Sequence, residues 1–518
     1  MSDFSRTKNS ALSILTGFMG QFLTILINFV CRTVFIETLG VEYLGINGLF
    51  SDILSMLSLA ELGFDTAISF RLYKPISEKK SSLIRAYLHF FRNAYIIIGG
   101  FIFVSGLILI PFLKYFIADY ESLSNLGINA ALVFILFLIQ NVSTYLFFAY
   151  RSIILKADQK KYILDIVSAV TLIASGLAKI SVLLIFNDFI AYILCALVFL
   201  ILQNLINAII ATKKYPAYFI KSNDRISREE RIDLYKDCGA LFVYKINAVV
   251  MKATDNIVLS TFIGLAIVGK YSNYLLIYSA IRGVLHSLYQ SVKASMGNLF
   301  VTEDIRKKYF FFEVMNYISI IFYGTAAVGV ACISNDLIMF WIGPEYVIPQ
   351  PFPIILGTEL LLTGLKENLA QIRHVSGAFK QMWFRPVLGA VINVVFSILL
   401  VKHLGISGVI LGTIIAAVFA NLLIDPSVIH KYSFSGYKPV SHYYLKNILF
   451  LFVLILVGAG VFFICGSLQI TNPIISLLIH FIICLVSIPA IFVAVFWKRK
   501  ECSYLLEKVY SIVKNRKI

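Results

Sequence analysis

The sequence predicts an all-α polytopic membrane protein with about fourteen transmembrane helices. Of its 518 residues, 59% are hydrophobic and only 14% are charged, whereas about a quarter of the residues are charged in a typical soluble protein. The mean hydropathy is +0.85. Apolar runs recur along the whole chain, each near the length of about 20 residues that crosses a hydrocarbon core as a helix.

These runs define six candidate spans, a polar break, six more spans, a second polar break and two last spans. We therefore predict an N-terminal lobe (1–211), a cytoplasmic linker (212–238), a C-terminal lobe (239–430), a cytoplasmic loop (431–446), a pair of helices (447–497) and a basic tail (498–518). The spans are 12–37, 45–69, 93–113, 127–149, 162–186, 189–211, 239–263, 271–297, 309–333, 352–372, 386–402, 406–429, 447–467 and 473–497.

The basic residues predict the orientation of these spans. The formal net charge is +17, which in a soluble chain would suggest nucleic acid as a partner. With the N-terminus inside, however, the outer loops hold only Lys114, Lys270 and Lys402, and the remaining basic residues outside the spans lie on the cytoplasmic side. We therefore predict cytoplasmic termini, a retained first helix rather than a cleaved signal peptide, and no nucleic acid.

No sequence motif points to catalysis or to a cofactor. The chain has no GxxxxGK[ST], GxSxG or HExxH pattern, and no large extramembrane domain. The seven cysteines, at positions 31, 195, 238, 332, 465, 484 and 502, are widely scattered, without a CxxC pair or a Cys/His cluster. We therefore expect no enzyme activity, no disulfide framework and no metal site.

Two turns of the predicted outer side repeat the same pattern. Residues 39–50 (LGVEYLGINGLF) align with residues 263–274 (IGLAIVGKYSNY), so the pair Gly40 and Gly45 matches the pair Gly264 and Gly269. Six spans separate the copies, and the repeats therefore have the same orientation. Parallel repeats predict two lobes related by an axis along the membrane normal, with a binding site between them. The four glycines are candidate hinge residues.

Charged side chains within the spans are the candidate site residues. An arginine or lysine at the bilayer centre costs about 2.5–3.5 kcal/mol on insertion scales and usually faces a bundle interior or a wet cavity. We predict a cationic cavity for an anionic substrate, with diphosphate as the densest common anion of lipid chemistry. Its basic residues are Arg32, Lys245, Lys252, Arg282 and Lys366. Polar residues of the cavity, some of them candidates for ion coupling, are Gln21, Asn28, Asp52, Asp255, His286, Glu359 and Glu367.

Each of these residues has a competing structural interpretation. Glu37 and Asp52 are candidate ion-pair partners of Arg32. Lys252 and Asp255 are three residues apart and can pair on one helix. Glu359 and Arg373 share a helix face with Lys366. Span 5 aligns Asp165, Ser168, Ser175 and Lys179 on one face, and Lys179 lies close enough to a span end to snorkel. Local ion pairs therefore compete with a binding role.

The residues RTVFIETLGVEYLGINGLF (32–50) and their continuation SDILSMLSLAELGFDTAISFRLYKPIS resemble the polysaccharide-transporter family. These are Wzx-type oligosaccharide flippases of the MATE-like flippase superfamily. DNIVLSTFIGLAIVGKYSNY (255–274) and INVVFSILLVKHLGISGVILGTII (392–415) carry the same resemblance, as loose patterns over essentially the whole chain.

This resemblance implies two six-helix lobes in a V shape with two extra C-terminal helices, in a bacterial cytoplasmic membrane. It also implies export of undecaprenyl-diphosphate-linked oligosaccharides to the outer leaflet by alternating access. A proton or sodium gradient and the polymerase and chain-length machinery of surface polysaccharide are the implied partners. Two alternatives stay open: a multidrug or cation antiporter of the same superfamily, and a polytopic polysaccharide polymerase or glycosyltransferase.

Overall fold

The computed structural model is α-helical, with no β-strand among the residues it describes, and the all-α prediction is confirmed. The described residues are 3–61, 64–118, 120–121, 123, 127–222, 224–376, 384–468, 470 and 472–515. The chain divides into two compact units, Met1–Gly269 (unit 1) and Lys270–Ile518 (unit 2). The domain boundaries predicted from the sequence stay a prediction.

Unit 1 holds nine helices and the first residues of a tenth. They are α1 (Asp3–Leu39), α2 (Val41–Leu57), α3 (Phe64–Ser77), α4 (Ser81–Leu109), α5 (Ala130–Ser143), α6 (Ile153–Ala157), α7 (Lys161–Phe186), α8 (Phe189–Lys214), α9 (Arg228–Phe262) and α10 (Leu265–Thr302). Unit 2 holds the rest of α10 and α11 (Ile305–Ile342), α12 (Phe352–Ser376), α13 (Arg385–Leu404), α14 (Ile406–Ala417), α15 (Ile424–Ser433), α16 (Val440–Ser467), α17 (Pro473–Phe496) and α18 (Lys500–Asn515).

Nine helical stretches of the described chain are long and apolar enough to cross a membrane. They are Met19–Leu39, Ser81–Tyr115, Lys161–Phe186, Phe189–Lys214, Ile305–Ile342, Arg385–Leu404, Ile406–Ser433, Val440–Ser467 and Pro473–Phe496. A multi-pass membrane protein follows from these stretches. The count of fourteen spans stays a prediction.

Two predicted spans are less regular than their hydropathy suggested. The predicted span 45–69 is not one helix, because α2 ends at Leu57, a 3-10 turn covers Ser58–Glu61, and α3 begins at Phe64. The predicted span 127–149 shrinks to the 14 residues of α5, and the chain then turns through Phe147 and Phe148, which have φ of 40° and 62°. Hydropathy records that a run is apolar, but it does not record where backbone hydrogen bonding changes.

Helix α9 begins before the predicted start of its span at 239. Ser227 and Glu230 form a reciprocal capping box, in which the Glu230 N–H donates to Ser227 Oγ and the Ser227 N–H donates to Glu230 Oε2, both at 3.1 Å. This arrangement satisfies two of the N–H groups that a helix start leaves open. The polar segment after α8 is therefore partly the first three turns of α9, and Arg85 of α4 binds the rest through Asp224, with an Nε–Oδ2 distance of 2.6 Å.

The two repeated turns pack directly against each other within unit 1. Gly40 and Gly264 have φ of +97° and +121°, values that glycine adopts without steric cost. A Cβ on Gly45 would lie 2.1 Å from the carbonyl oxygen of Leu265, and a Cβ on Gly269 would lie 2.2 Å from that of Val41. Because Val41 and Leu265 occupy the same place in the two copies, the contact is reciprocal, as expected for two turns related by a local two-fold axis.

Unit 2 is organised around α11, against which α12, α16, α17 and α18 pack. Asn316 of α11 donates to Asn447 of α16 at 3.0 Å, and the Tyr317 hydroxyl donates to the backbone of Phe492 in α17. Lys446 of α16 contacts both Glu313 of α11 and Glu501 of α18. The last three helices are thus held to α11 by buried polar contacts as well as by aromatic packing.

Candidate functional site

Unit 1 contains two adjoining polar cavities, of about 490 Å³ and about 380 Å³. Gln140, Lys179, Ala196 and Leu200 line both of them. The polar side chains of the larger cavity come from α1, α5, α7 and α8, and those of the smaller from α2, α5, α7 and α8. They are Thr16, Gln21, Thr24, Gln140, Lys161, Asp165, Ser168, Thr171, Ser175, Lys179 and Gln203, with Asn47, Ser51, Asn141, Thr144 and Tyr192 in the smaller.

One face of α7 supplies much of the polar wall. Asp165, Ser168, Ser175 and Lys179 all line the larger cavity, as the helical spacing of this stripe predicted. Lys161 neutralises Asp165 at 2.6 Å, and Gln203 of α8 donates to Ser168 at 3.0 Å. The charge of Asp165 at one end of the stripe is therefore neutralised locally, whereas Lys179 at the other end lies over an aromatic ring.

Lys179 is a half-buried cation that forms no ion pair with a carboxylate of the described residues. No carboxylate oxygen of the described residues lies within 4 Å of its ammonium, which sits instead over the ring of Tyr192, 5.4 Å from the centroid. A cation over an aromatic face is worth about 0.5–2 kcal/mol, depending on desolvation. This interaction offsets only part of the cost of holding a charge in the membrane. An anion entering the cavity would supply the missing counter-charge.

A second basic residue, Arg32, approaches the same tyrosine. It is half-buried on α1 and close to Tyr192, and Phe35, one turn further along α1, packs edge-on against Tyr192 at 5.0 Å. Gly176 of α7 lets α1 approach here, because a Cβ at that position would lie 2.6 Å from the Ile27 side chain. Two basic side chains thus flank one tyrosine.

The other predicted residues of α1 and α2 have different surroundings. Gln21 lines the larger cavity, whereas Asn28 is exposed on α1 and lines neither cavity. Asp52, suggested above as a partner of Arg32, is buried and accepts a hydrogen bond from Asn256 of α9. Glu37, the other suggested partner, is exposed. The glycines Gly40, Gly45, Gly264 and Gly269 lie at the packed turns, and their role as hinges stays a prediction.

In unit 2, the predicted residues form one ion pair within α12 and one contact between α10 and α12. Glu359 contacts Lys366 at 3.5 Å and accepts hydrogen bonds from Tyr278 and Thr363. Glu367 contacts His286 at 3.2 Å. The local pairing that competed with a binding role is therefore what the structure has at Lys366.

Three predicted residues remain. Arg282 is exposed on α10, in the same region of unit 2. Asp255 is buried on α9 in unit 1. The side chains of Lys245 and Lys252, also on α9, lie outside the described residues. Whether Arg32, Lys245, Lys252, Arg282 and Lys366 line one cavity stays a prediction.

Three further residues, Gln140, Gln203 and Tyr192, complete the cavities of unit 1 and were not among those predicted from the sequence. An isolated glutamine in an apolar run is a usable signal, because its amide must find a partner in a helix bundle. Gln140 and Gln203 each stand in such a run. Tyr192 gives no such signal, since its ring looks like one of the 28 tyrosines that pack the bundle or its interfaces.

No protein-family model matches the chain, and the comparison with curated proteins finds no match. The fold, however, is shared with solved membrane transporters. The lipid II flippase MurJ in an inward closed conformation superposes with a TM-score of 0.65 at 16% identity, covering 94% of this chain and 99% of that one. An inward-facing multidrug resistance MATE family transporter of the MOP superfamily gives 0.57 at 14% identity, covering 80% and 96%. The same comparison with an outward-facing MATE family structure gives 0.52 at 14%, covering 83% and 97%. The predicted MATE-like fold is thereby confirmed.

Proposed function

We propose that the protein is a flippase that moves undecaprenyl-diphosphate-linked oligosaccharides from the inner to the outer leaflet. The observation that carries this proposal is the ammonium of Lys179, which has no carboxylate partner among the described residues, lines both polar cavities and lies over the ring of Tyr192, to which Arg32 is also close. The fold shared with MurJ supports the proposal, because the name of that protein, lipid II flippase, says that it moves a lipid across the membrane.

The proposed substrate contact is between the diphosphate and the pair of Arg32 and Lys179. Arginine offers phosphate a planar fork of donors, and lysine offers a mobile point charge. A phosphate charge about 4 Å from the ammonium gains about 4 kcal/mol at an effective dielectric constant of about 20, before its desolvation is subtracted. The hydroxyl and amide groups of α5, α7 and α8 would hydrogen-bond the sugars, and the polyprenyl chain would stay in lipid.

Replacement of either cation should slow transport without unfolding the protein. In liposomes containing the purified protein and an undecaprenyl-diphosphate-linked oligosaccharide, we expect Lys179→Gln and Arg32→Gln to reduce the flipping rate at least tenfold. The matched control is Lys213→Gln, because Lys213 is exposed at the end of α8 and away from both cavities. Flipping is measured as exposure of the head group to an enzyme added outside.

Two results would contradict the proposal. Unchanged flipping by the Lys179→Gln protein would remove the cavity cation from the mechanism. Export of a lipophilic cation by the wild-type protein, with no flipping of the lipid-linked substrate, would favour the multidrug antiporter that the MATE likeness also allows. The pairing of Asp165 with Lys161 argues against that alternative, since it neutralises a carboxylate of the cavity wall.

A further inference from the structure

Three cysteines that are far apart in the sequence meet in unit 2. Cys332 of α11, Cys465 of α16 and Cys484 of α17 place their Sγ atoms within 4.8 Å of one another. Cys465 and Cys484 are buried, and Cys332 is half-buried. This convergence corrects the conclusion from sequence spacing that no cysteine cluster exists, because each thiol stands on a different helix.

A histidine and a carboxylate continue the cluster by one helical turn. Asp336 follows Cys332 by four residues on α11, and His480 precedes Cys484 by four residues on α17. His480 is only 5% exposed. Its Nδ1 lies 3.4 Å from Asp336 Oδ2 but without hydrogen-bond geometry, and neither ring nitrogen has a hydrogen-bond partner. A buried imidazole with two unsatisfied nitrogens costs free energy unless a ligand or proton completes it.

The spacing of the three sulfur atoms fits a metal ion. With metal–sulfur bonds of about 2.3 Å, thiolates around one Zn²⁺ stand about 3.8–4.0 Å apart, so the cluster needs only small side-chain adjustments to close. A disulfide, with an S–S bond of about 2.05 Å, would use two of the thiols and leave the third aside. Three cysteines can also serve as small hydrophobic residues, but that role explains neither their meeting nor the neighbouring unsatisfied histidine.

We propose that Cys332, Cys465 and Cys484 bind one thiophilic divalent cation of the Zn²⁺ and Cd²⁺ class. His480, one helical turn from Cys484 and outside the group of mutually close ligand atoms, turns its ring to the bound ion as the fourth ligand. Thiolate and imidazole are the ligands such ions prefer. When the ion binds, each of the three thiols loses its proton to solvent, because the metal ligand is the thiolate. The buried site, with one divalent ion, three thiolates and a neutral imidazole, therefore gains one negative charge. The bound ion ties α16 and α17 to α11. This site is independent of the proposed transport function.

Metal content and spectrum test the proposal directly. The full-length protein is purified in detergent, reduced with a phosphine, incubated with Zn²⁺ and freed of excess ion, and its metal is measured by elemental analysis. We expect about one Zn²⁺ per chain.

Co²⁺ in place of Zn²⁺ should give thiolate-to-metal charge-transfer bands and the visible bands of a tetrahedral site. His480→Ala should keep the charge-transfer bands, shift the visible bands and weaken affinity by at least the roughly 10–100-fold that loss of a group supporting a ligand costs, because here a ligand itself is lost.

Cysteine variants identify the ligands. Cys332→Ser, Cys465→Ser and Cys484→Ser should each lose stoichiometric binding, whereas the control Cys195→Ser, which changes a half-buried thiol of α8 in unit 1, should bind like the wild type. Size-exclusion profiles show which variants remain folded, and any one folded variant suffices for the comparison. The proposal is overturned if the reduced wild type takes up no stoichiometric ion, or if a folded Cys484→Ser or Cys465→Ser protein binds as the wild type does. The proposal is also overturned if two of the three cysteines form a disulfide in the purified protein and the protein still binds no metal after that disulfide is reduced.

Discussion

Gly45→Ala should destabilise the protein by about 3 kcal/mol or more, although alanine is the better helix former. The added Cβ would lie 2.1 Å from the carbonyl oxygen and 2.8 Å from the carbonyl carbon of Leu265. Because both contacts are with backbone, no side-chain rotation relieves them, and α2 must move away from the start of α10. Overpacking typically costs about 1–3 kcal/mol and occasionally more. The gain in helix propensity returns at most about 1 kcal/mol.

The matched control lies three residues away on the same helix. A Cβ at Gly48 would meet Val268 at 3.5 Å and Asn256 at 3.6 Å, which is ordinary van der Waals contact. We therefore expect Gly48→Ala to leave the thermal unfolding midpoint unchanged or slightly higher, measured by fluorescence-detected size exclusion. Equal midpoints for Gly45→Ala and the wild type would show that the turns do not pack as described.

The reciprocal contact adds a test of the local two-fold relation. Gly269→Ala, whose Cβ would lie 2.2 Å from the carbonyl oxygen of Val41, should cost about as much as Gly45→Ala. Both substitutions force apart the same two segments, so the double variant should be less destabilised than the sum of the single ones. Strict additivity would indicate two independent contacts.

The aligned glycines could be found from the sequence, but their packing could not. The repeat of Gly40 and Gly45 by Gly264 and Gly269 is a visible pattern, and two positive-φ positions are a natural consequence of it. Whether two outer turns touch depends on how the helices around them pack, which no local pattern records. The reciprocal contact is therefore a finding of the structure alone.

Composition and helix period were sufficient for the fold class and for one wall of the cavity. The stripe from Asp165 to Lys179 was predicted from helical spacing, and its residues line the cavity. The sequence could not show that Lys179 is a stronger candidate than the other basic residues of the spans. Its proposed role depends on the lack, among the described residues, of a carboxylate near its ammonium, which only the packed structure shows. The carboxylate beside Lys366 belongs to Glu359 on the same helix, so that pair could be predicted from the sequence. The lack of a carboxylate within 4 Å of Lys179 among the described residues depends instead on which helices pack around it.

The cysteines show the same limit more clearly. Sequence rules for metal sites rely on short spacings within one turn or hairpin. Cys332, Cys465 and Cys484 are brought together by three different helices, so no spacing rule can find them. The pair of Cys332 and Asp336 and the pair of His480 and Cys484, each four residues apart, were the local signals.

Asp425→Ala should be among the most destabilising substitutions in unit 2. Asp425 is 1% exposed and contacts Arg373 of α12 at 2.5 Å and Arg385 of α13 at 3.3 Å. Both arginines are buried as well. Removal of the shared carboxylate leaves two buried positive charges close together, and breaking a buried ion pair costs about 3–5 kcal/mol. The expected result is a strongly lowered unfolding midpoint or loss of monodisperse protein.

Removal of the whole charged cluster should cost less than removal of its carboxylate alone. In the triple variant Arg373→Met, Asp425→Ala and Arg385→Met, no charge is left buried without a partner, and apolar replacement of a buried cluster is often neutral or even stabilising. We therefore expect the triple variant to recover much of the midpoint lost in Asp425→Ala. The control is Asp233→Asn, which breaks an exposed pair with Lys236 and should change stability by at most about 1 kcal/mol. If the triple variant were less stable than Asp425→Ala, the packing of the long side chains, rather than uncompensated charge, would explain the loss. Arg373 would then stabilise the unit chiefly through its aliphatic stem.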